Sequence, residues 1–218
     1  LRLYFRLARD LGLYDGDPTI DLALPPRSSL SVRALTDDEV VLGRSSSLHS
    51  MTATNRSAAW ALAEATARTS EIPQIRVSDL DLHRQRVWLH GSNKAEARWG
   101  YSTPWGLEQL ARRVQVLKKS DDSDPRLVYR GEGSPHSAQV SSCLAIAESL
   151  QRAGLSVEPD VRPGSIVAWA GNKVFERSHC IGQVARALGM RSLDGAARMI
   201  DWQWVRTGER VRQGQLEP

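Results

Sequence analysis

Residues 65–104, ATARTSEIPQIRVSDLDLHRQRVWLHGSNKAEARWGYSTP, constrain the fold more than any other stretch. Just upstream, Arg56 to Thr66 is rich in Ala and carries Trp60 and Leu62, a pattern that predicts a helix. The chain turns sharply at Arg68-Thr69-Ser70-Glu71, then crosses apolar Ile72 to Val77 into a polar turn at Ser78-Asp79. Two strand-like runs follow, Arg86–His90 and Arg98–Ser102. In the first, Val87 and Leu89 alternate with Arg86, Trp88 and His90, the period of a half-buried strand. The connection Gly91-Ser92-Asn93-Lys94 holds Gly91 and Asn93, which supply the backbone freedom of a tight turn. An Arg and a Glu therefore sit at a helix end, and a Lys sits at a hairpin tip. Cations so placed suit holding a phosphate from two directions.

The rest of the chain reads mostly as helix. Leu1 to Leu13 has Leu3, Tyr4, Leu7 and Leu11 at helical spacing and stops at Asp15-Gly16-Asp17-Pro18. The stretch to Arg33, with Pro25-Pro26, reads as a linker. Thr36-Asp37-Asp38-Glu39 is a capping box that opens a helix, and Arg44 to Asn55, rich in Ser and Thr, reads as loop. Thr103-Pro104 is an N-cap with Pro behind it, starting a helix to about Lys118. Further helices are expected over Gln139–Ala153, Ile166–Glu176, Gly182–Leu188 and Leu193–Ile200. The expected class is mainly α with a small antiparallel β-sheet, an α+β fold. The expected division is 1–33, a helix end plus linker, and 34–218, the main domain.

Composition narrows the classes further. The chain has 218 residues, 41% hydrophobic and 25% charged, as an ordinary globular domain does. No run of about 18 apolar residues is present, so no membrane partner is expected. No signal peptide is visible, and the chain opens on Leu1. The two cysteines, Cys143 and Cys180, make neither a disulfide framework nor a metal-spaced cluster. The expected compartment is the cytoplasm, with association to the nucleoid if DNA is bound. Lys plus Arg number 29 against 25 acidic residues, a net charge of +4. That balance is compatible with nucleic acid without demanding it.

The run A-T-A-R-T-S-E-I-P-Q-I-R-V-S-D-L-D, followed by a hairpin with a Lys in its turn, resembles the tyrosine recombinase (phage integrase) family. The resemblance implies the catalytic-domain fold of that family over most of the chain. It implies double-stranded DNA as partner, with Arg68 and Lys94 on the scissile phosphate and Glu71 supporting Arg68. Residues 1–33 would then be the end of a core-binding-type helical domain plus the interdomain linker, the rest of that domain being absent. It also implies that Arg68, Glu71 and Lys94 converge on one basic face. Nothing in it calls for a cofactor or a metal.

The second half departs from the family pattern. The family attacks a DNA phosphate with a tyrosine oxygen while a second Arg, from a His-x-x-Arg pattern, offsets charge on the phosphate. The matching places here are Gly164 and Val167. A His or Trp is expected after Leu188-Gly189, where Met190 stands, and the Tyr where Met199 or Ile200 stands. The tyrosines are Tyr4, Tyr14, Tyr101 and Tyr129, none in the last third of the chain. No change of register supplies one. Catalytic residues are therefore expected to be non-intact, with Arg68, Glu71 and Lys94 as remnants.

Each candidate has a plainer reading. Arg68 and Glu71 can form a local ion pair at a helix end, and Lys94 can be a solvated turn charge. Arg112 and Arg113, with Lys118 and Lys119, form either a basic DNA-contacting helix end or a solvated face. Trp88, Trp99, Trp105 and Trp169 lie beside apolar runs and are expected in the core. His136 reads as a cap-region side chain, and His49, His83, His90 and His179 suggest no metal site. The expected function is DNA binding by an integrase-derived protein that does not cleave DNA by itself, through Arg68, Lys94, Arg112 and Arg113. One alternative is a component of site-specific recombination or integration whose partner supplies the nucleophile; the protein partners considered are an active recombinase and self-association. Another is a protein-interaction scaffold without DNA affinity.

Overall fold

The computed structural model describes residues 2–14, 16, 32–49, 54–119, 122–129 and 131–203. The chain divides into two compact units, Leu1–Leu30 and Ser31–Pro218. In the first unit, α1 spans Arg2–Asp10. It ends earlier than its apolar spacing suggests, because Gly12 takes φ +65° and Leu13 N donates back to Ala8 O at 2.8 Å. The expected linker lies largely outside the described residues.

In the second unit, α2 (Asp37–Ser47) starts at the capping box read from the sequence. Thr36 Oγ1 accepts from Glu39 N at 3.2 Å, and Glu39 Oε2 accepts from Thr36 N at 2.8 Å. Glu39 also accepts two bonds from Arg33, whose guanidinium reaches Glu158 as well. Those hydrogen bonds hold the Glu39 carboxyl below the usual carboxylate range. The helix continues through Ser45 and Ser47, where a loop was expected. Arg44 is anchored to buried Glu64 by bonds of 2.7 and 2.8 Å, and Ser47 Oγ returns to Arg44 O. Those tertiary contacts override the weak helix preference of a Ser run.

The centre of the unit is α3 (Thr54–Glu64), which packs against α2, α4 (Pro104–Leu117), α5 (Pro135–Arg152) and α6 (Gly164–Ser178). From Ser57 through Glu64 every residue is buried. Its alanines allow four helices to approach it closely. Trp60, wholly buried, fills the space that a side chain on Gly43 would otherwise take. Trp60 Nε1 donates to Glu64 Oε1 at 2.9 Å, and Thr103 Oγ1, the N-cap of α4, donates to Glu64 Oε2 at 2.6 Å. The buried Glu64 carboxylate thus joins α2, α3 and the start of α4.

The sheet is three-stranded and antiparallel, in the order β1 (Leu80–Asp81), β2 (Arg86–Leu89), β3 (Arg98–Tyr101). β1 falls just after the expected polar turn and was not legible as a strand, being two residues long. Val87 and Leu89 turn inward as their alternation requires. α5 begins four residues before the expected Gln139, at Ser134 as N-cap and Pro135 behind it. His136 lies in its first turn. The carboxy-terminal helices α7 (Ile181–Ala187) and α8 (Leu193–Met199) pack on each other and on α6. Among the described residues no helix is long and apolar enough to cross a membrane.

Candidate nucleic-acid interface

The local chemistry at the end of α3 builds the site. After Glu64 the chain does not simply stop. Thr66 takes φ +73°, a left-handed conformation unfavourable for a β-branched residue. It is held there from two sides. Its hydroxyl donates to Ala187 O at 2.8 Å, and its carbonyl accepts from Arg98 Nη2 at 2.6 Å. Ala67 N closes back on Leu62 O at 2.9 Å. The reversal delivers Arg68 into a tight turn, with Glu71 N and Ile72 N both donating to Arg68 O.

Glu71 is buried, and its carboxylate does not pair with the Arg68 side chain. Oε2 accepts from the Arg68 backbone N at 2.8 Å and from Arg98 Nη2 at 3.1 Å, while Oε1 accepts from Arg98 Nη1 at 2.8 Å. The partner of Glu71 is therefore Arg98, in bidentate geometry. Arg98 also donates to Ala187 O and Glu96 O, so it ties the Arg68 turn, β3 and the end of α7 together. Nearby, Glu96 N donates to Gly189 O at 2.9 Å and adds a second tie.

The consequence is an Arg68 guanidinium left over. Its Nε and Nη2 are buried and have no hydrogen-bond partner among the described residues. Burial is the main cause that lowers its pKa; the Glu71 charge opposes that shift and the Arg98 charge adds to it. A half-buried guanidinium with two unsatisfied donors favours an anion brought from outside. The local Arg68–Glu71 ion pair is thus overturned, and support from Glu71 runs through the backbone of the turn.

The other expected residues differ in burial. Lys94 is exposed in the loop between β2 and β3; its backbone N donates to Ser92 Oγ, and its ammonium makes no ion pair among the described residues. Arg113 is a correction: it is 5% exposed, with Nε on Leu127 O at 2.7 Å and Nη1 on Thr54 Oγ1 at 3.0 Å. It joins α4 to α3 and to the segment at Leu127, so it belongs neither to an exposed basic helix end nor to a solvated face. Arg112 is half-buried beside it. The positions that the resemblance matches to the second Arg, its His, the later His or Trp and the Tyr are apolar throughout. Val167 is buried in the core, Gly164 opens α6, and Met190 and Met199 pack against the core from α7's end and from α8. Arg162 is exposed, and its backbone N caps onto Ser165 Oγ.

Sequence reasoning missed Arg98. A signal was available: β3 places Arg98 and Gly100 on the inward side, and a charged residue at an inward position needs a buried partner. It also misplaced two tryptophans. Trp60 and Trp169 are core, but Trp99 is 37% exposed on the outer face of the sheet, edge-on to half-buried Trp88. Among the described residues no group of His, Cys, Asp and Glu could hold a metal ion.

No family model and no curated protein matches the sequence. Solved structures do. The chain is similar to a XerA recombinase, with a TM-score of 0.63 and 16% identity over 90% of this chain and 68% of that one. It is similar to a lambda integrase in a dimer bound to a COC′ core site, with a TM-score of 0.63 and 15% identity over 94% of this chain and 59% of that one. It is also similar to a XerH site-specific recombinase bound to difH substrate in a pre-cleavage complex, with a TM-score of 0.62 and 16% identity over 93% and 61%. The chain spans roughly three fifths to two thirds of the length of these three. The likeness shows the fold: the mainly helical, small-sheet architecture of tyrosine recombinase catalytic domains.

Proposed function

We propose that this chain is a DNA-binding protein derived from a tyrosine recombinase, and that it does not cleave DNA by itself. The observation that carries the reading is the Arg68 guanidinium, buried at Nε and Nη2 and without a partner while Arg98 occupies Glu71. A phosphate oxygen pair matches the fork of a guanidinium. Lys94, exposed on its hairpin, is the second cation of the proposed contact, reaching the same phosphate or the next. Solved relatives of the fold in complex with DNA support duplex DNA as the ligand.

The reading of inactivity rests on side chains. In the register of the resemblance the second arginine falls on Val167, which is buried in the core, the later His or Trp on Met190, and the Tyr on Met199 or Ile200. None of these can donate to a phosphoryl oxygen or attack phosphorus. With suicide DNA substrates that trap covalent intermediates, the expected result is no protein–DNA adduct. A trapped adduct at any residue of this chain overturns the assignment.

Binding is tested by titrating labelled duplex DNA at two salt concentrations. The expected binding is weak, tolerant of sequence and weaker at higher salt. Arg68→Ala lowers affinity on every sequence and flattens the slope of log K against log salt by about 0.9, the share of one phosphate. Unchanged affinity and slope mean that Arg68 holds no phosphate. Absence of binding even at low salt moves the chain to the scaffold reading.

A further inference from the structure

The outer face of the sheet carries a second feature, separate from the Arg68 turn. The register sets Trp88 opposite Trp99 and Arg86 opposite Tyr101. Alternate positions share a face, so these four side chains stand together while Val87, Leu89, Arg98 and Gly100 point inward. The face is not closed off from solvent: Trp99 is 37% exposed and Tyr101 67%. The Trp88 ring meets Trp99 at 5.1 Å between centroids, and the Arg86 guanidinium lies 4.0 Å over Trp99.

The helices α6 and α7 wall this face into a cavity of about 710 Å³, with Val174, Arg177 and Arg186 opposite the aromatic floor. A neighbouring cavity of about 470 Å³ shares Trp99, Tyr101 and Arg177, so open space borders the two rings on more than one side. Among the described residues no Asp or Glu lines the larger cavity. Arg177 and Arg186 are exposed, and neither has a carboxylate partner among the described residues; Arg177 Nε donates to Lys173 O at 3.0 Å. In the smaller cavity both acidic residues are already paired, Glu176 with Lys173 at 2.9 Å and Glu64 with Arg44 at 2.7 Å.

We propose that this groove binds single-stranded nucleic acid, with bases stacked on Tyr101 and Trp99 and backbone phosphates on Arg177 and Arg186. The complementarity is twofold. Every base has a π-face that an exposed aromatic ring accepts irrespective of sequence, and the unpaired arginines meet the phosphate charge. An acidic peptide satisfies the arginines, but it would need aliphatic anchor pockets. Among the described residues, apart from Ala97, Ala187 and Val174, the apolar lining of the larger cavity is aromatic. The groove does not rest on the Arg68 contact, and each can fail without the other.

The test uses the whole chain and a labelled oligothymidine of about 12 nucleotides, within the span of known single-strand sites. The expected result is salt-dependent binding. Tyr101→Ala weakens it about tenfold, the usual loss for one stacking ring. The double variant Arg177→Ala with Arg186→Ala flattens the salt slope by about 1.4, or about 0.7 for each phosphate. Arg68→Ala leaves oligothymidine binding unchanged while it weakens duplex binding. Tyr101 is a surface residue and both arginines are exposed, so thermal unfolding of these variants is expected to match the parent. Absence of oligothymidine binding at low salt overturns the proposal, as does equal binding by Tyr101→Ala. A labelled peptide of alternating Glu and Leu that binds with the same Tyr101 and Arg177 dependence, and that oligothymidine does not displace, assigns the groove to a protein partner and also overturns it.

Discussion

Arg98→Ala lowers the folding stability of this chain by about 3–5 kcal/mol, the loss expected when one member of a buried ion pair is removed. The size follows from what is stranded. Glu71 is 1% exposed, and Arg98 supplies both side-chain donors to its carboxylate. Without them the Glu71 charge keeps one backbone donor, Arg68 N. The carbonyls of Thr66, Glu96 and Ala187 lose donors as well, and the left-handed Thr66 loses one of its two restraints. Urea denaturation reads the effect as a lower midpoint at unchanged slope. Arg98→Lys recovers little, because an ammonium cannot bond both Glu71 oxygens and three carbonyls from one place. Combining Arg98→Ala with Glu71→Ala costs less than the sum of the two single changes, since the second removes the charge that the first leaves unpaired. A midpoint within error of the parent for Arg98→Ala means that this pair does not hold the turn.

Arg68→Met shifts stability in the opposite direction, raising it by about 1–3 kcal/mol, the cost ordinarily attached to buried donors left unsatisfied. Arg68 Nε and Nη2 are such donors, and burial lowers the pKa of the group. Met keeps most of the aliphatic stem and discards the desolvated charge. A gain in stability joined to a loss of duplex affinity is the signature of a residue held for binding at a cost to the fold. The contrast with Arg98 is the point of the pair of measurements. Both arginines feel the Glu71 charge, but only Arg98 bonds its carboxylate; one completes the fold and the other is left over by it. If Arg68→Met destabilises the chain, the guanidinium is a structural element and the phosphate reading loses its main support.

Much of this was legible in local patterns. The capping box at Thr36 and Glu39, the Thr103-Pro104 helix start and the period-two alternation of Val87 and Leu89 each encode their own structure. These signals act over a few residues, so the order of neighbours is enough to read them. The Ser-rich end of α2 misled for the same reason: its helix is fixed by Arg44 reaching Glu64, 20 residues away.

The sequence by itself determined the helix-then-hairpin order that carries the fold, the placing of Arg68 at a helix end, and the absence of any tyrosine after Tyr129. The tertiary structure alone decided which charges are free. Arg98 meets Glu71 across 27 residues and Ala187 across 89, Arg113 meets Thr54 across 59, and Trp99 is left exposed on the sheet's outer face while Trp60 is sealed inside. A charge has no fixed meaning along the chain. Its role depends on whether folding brings it an opposite charge, a carbonyl or open solvent, and such pairings are made through space between segments whose spacing leaves no periodic trace.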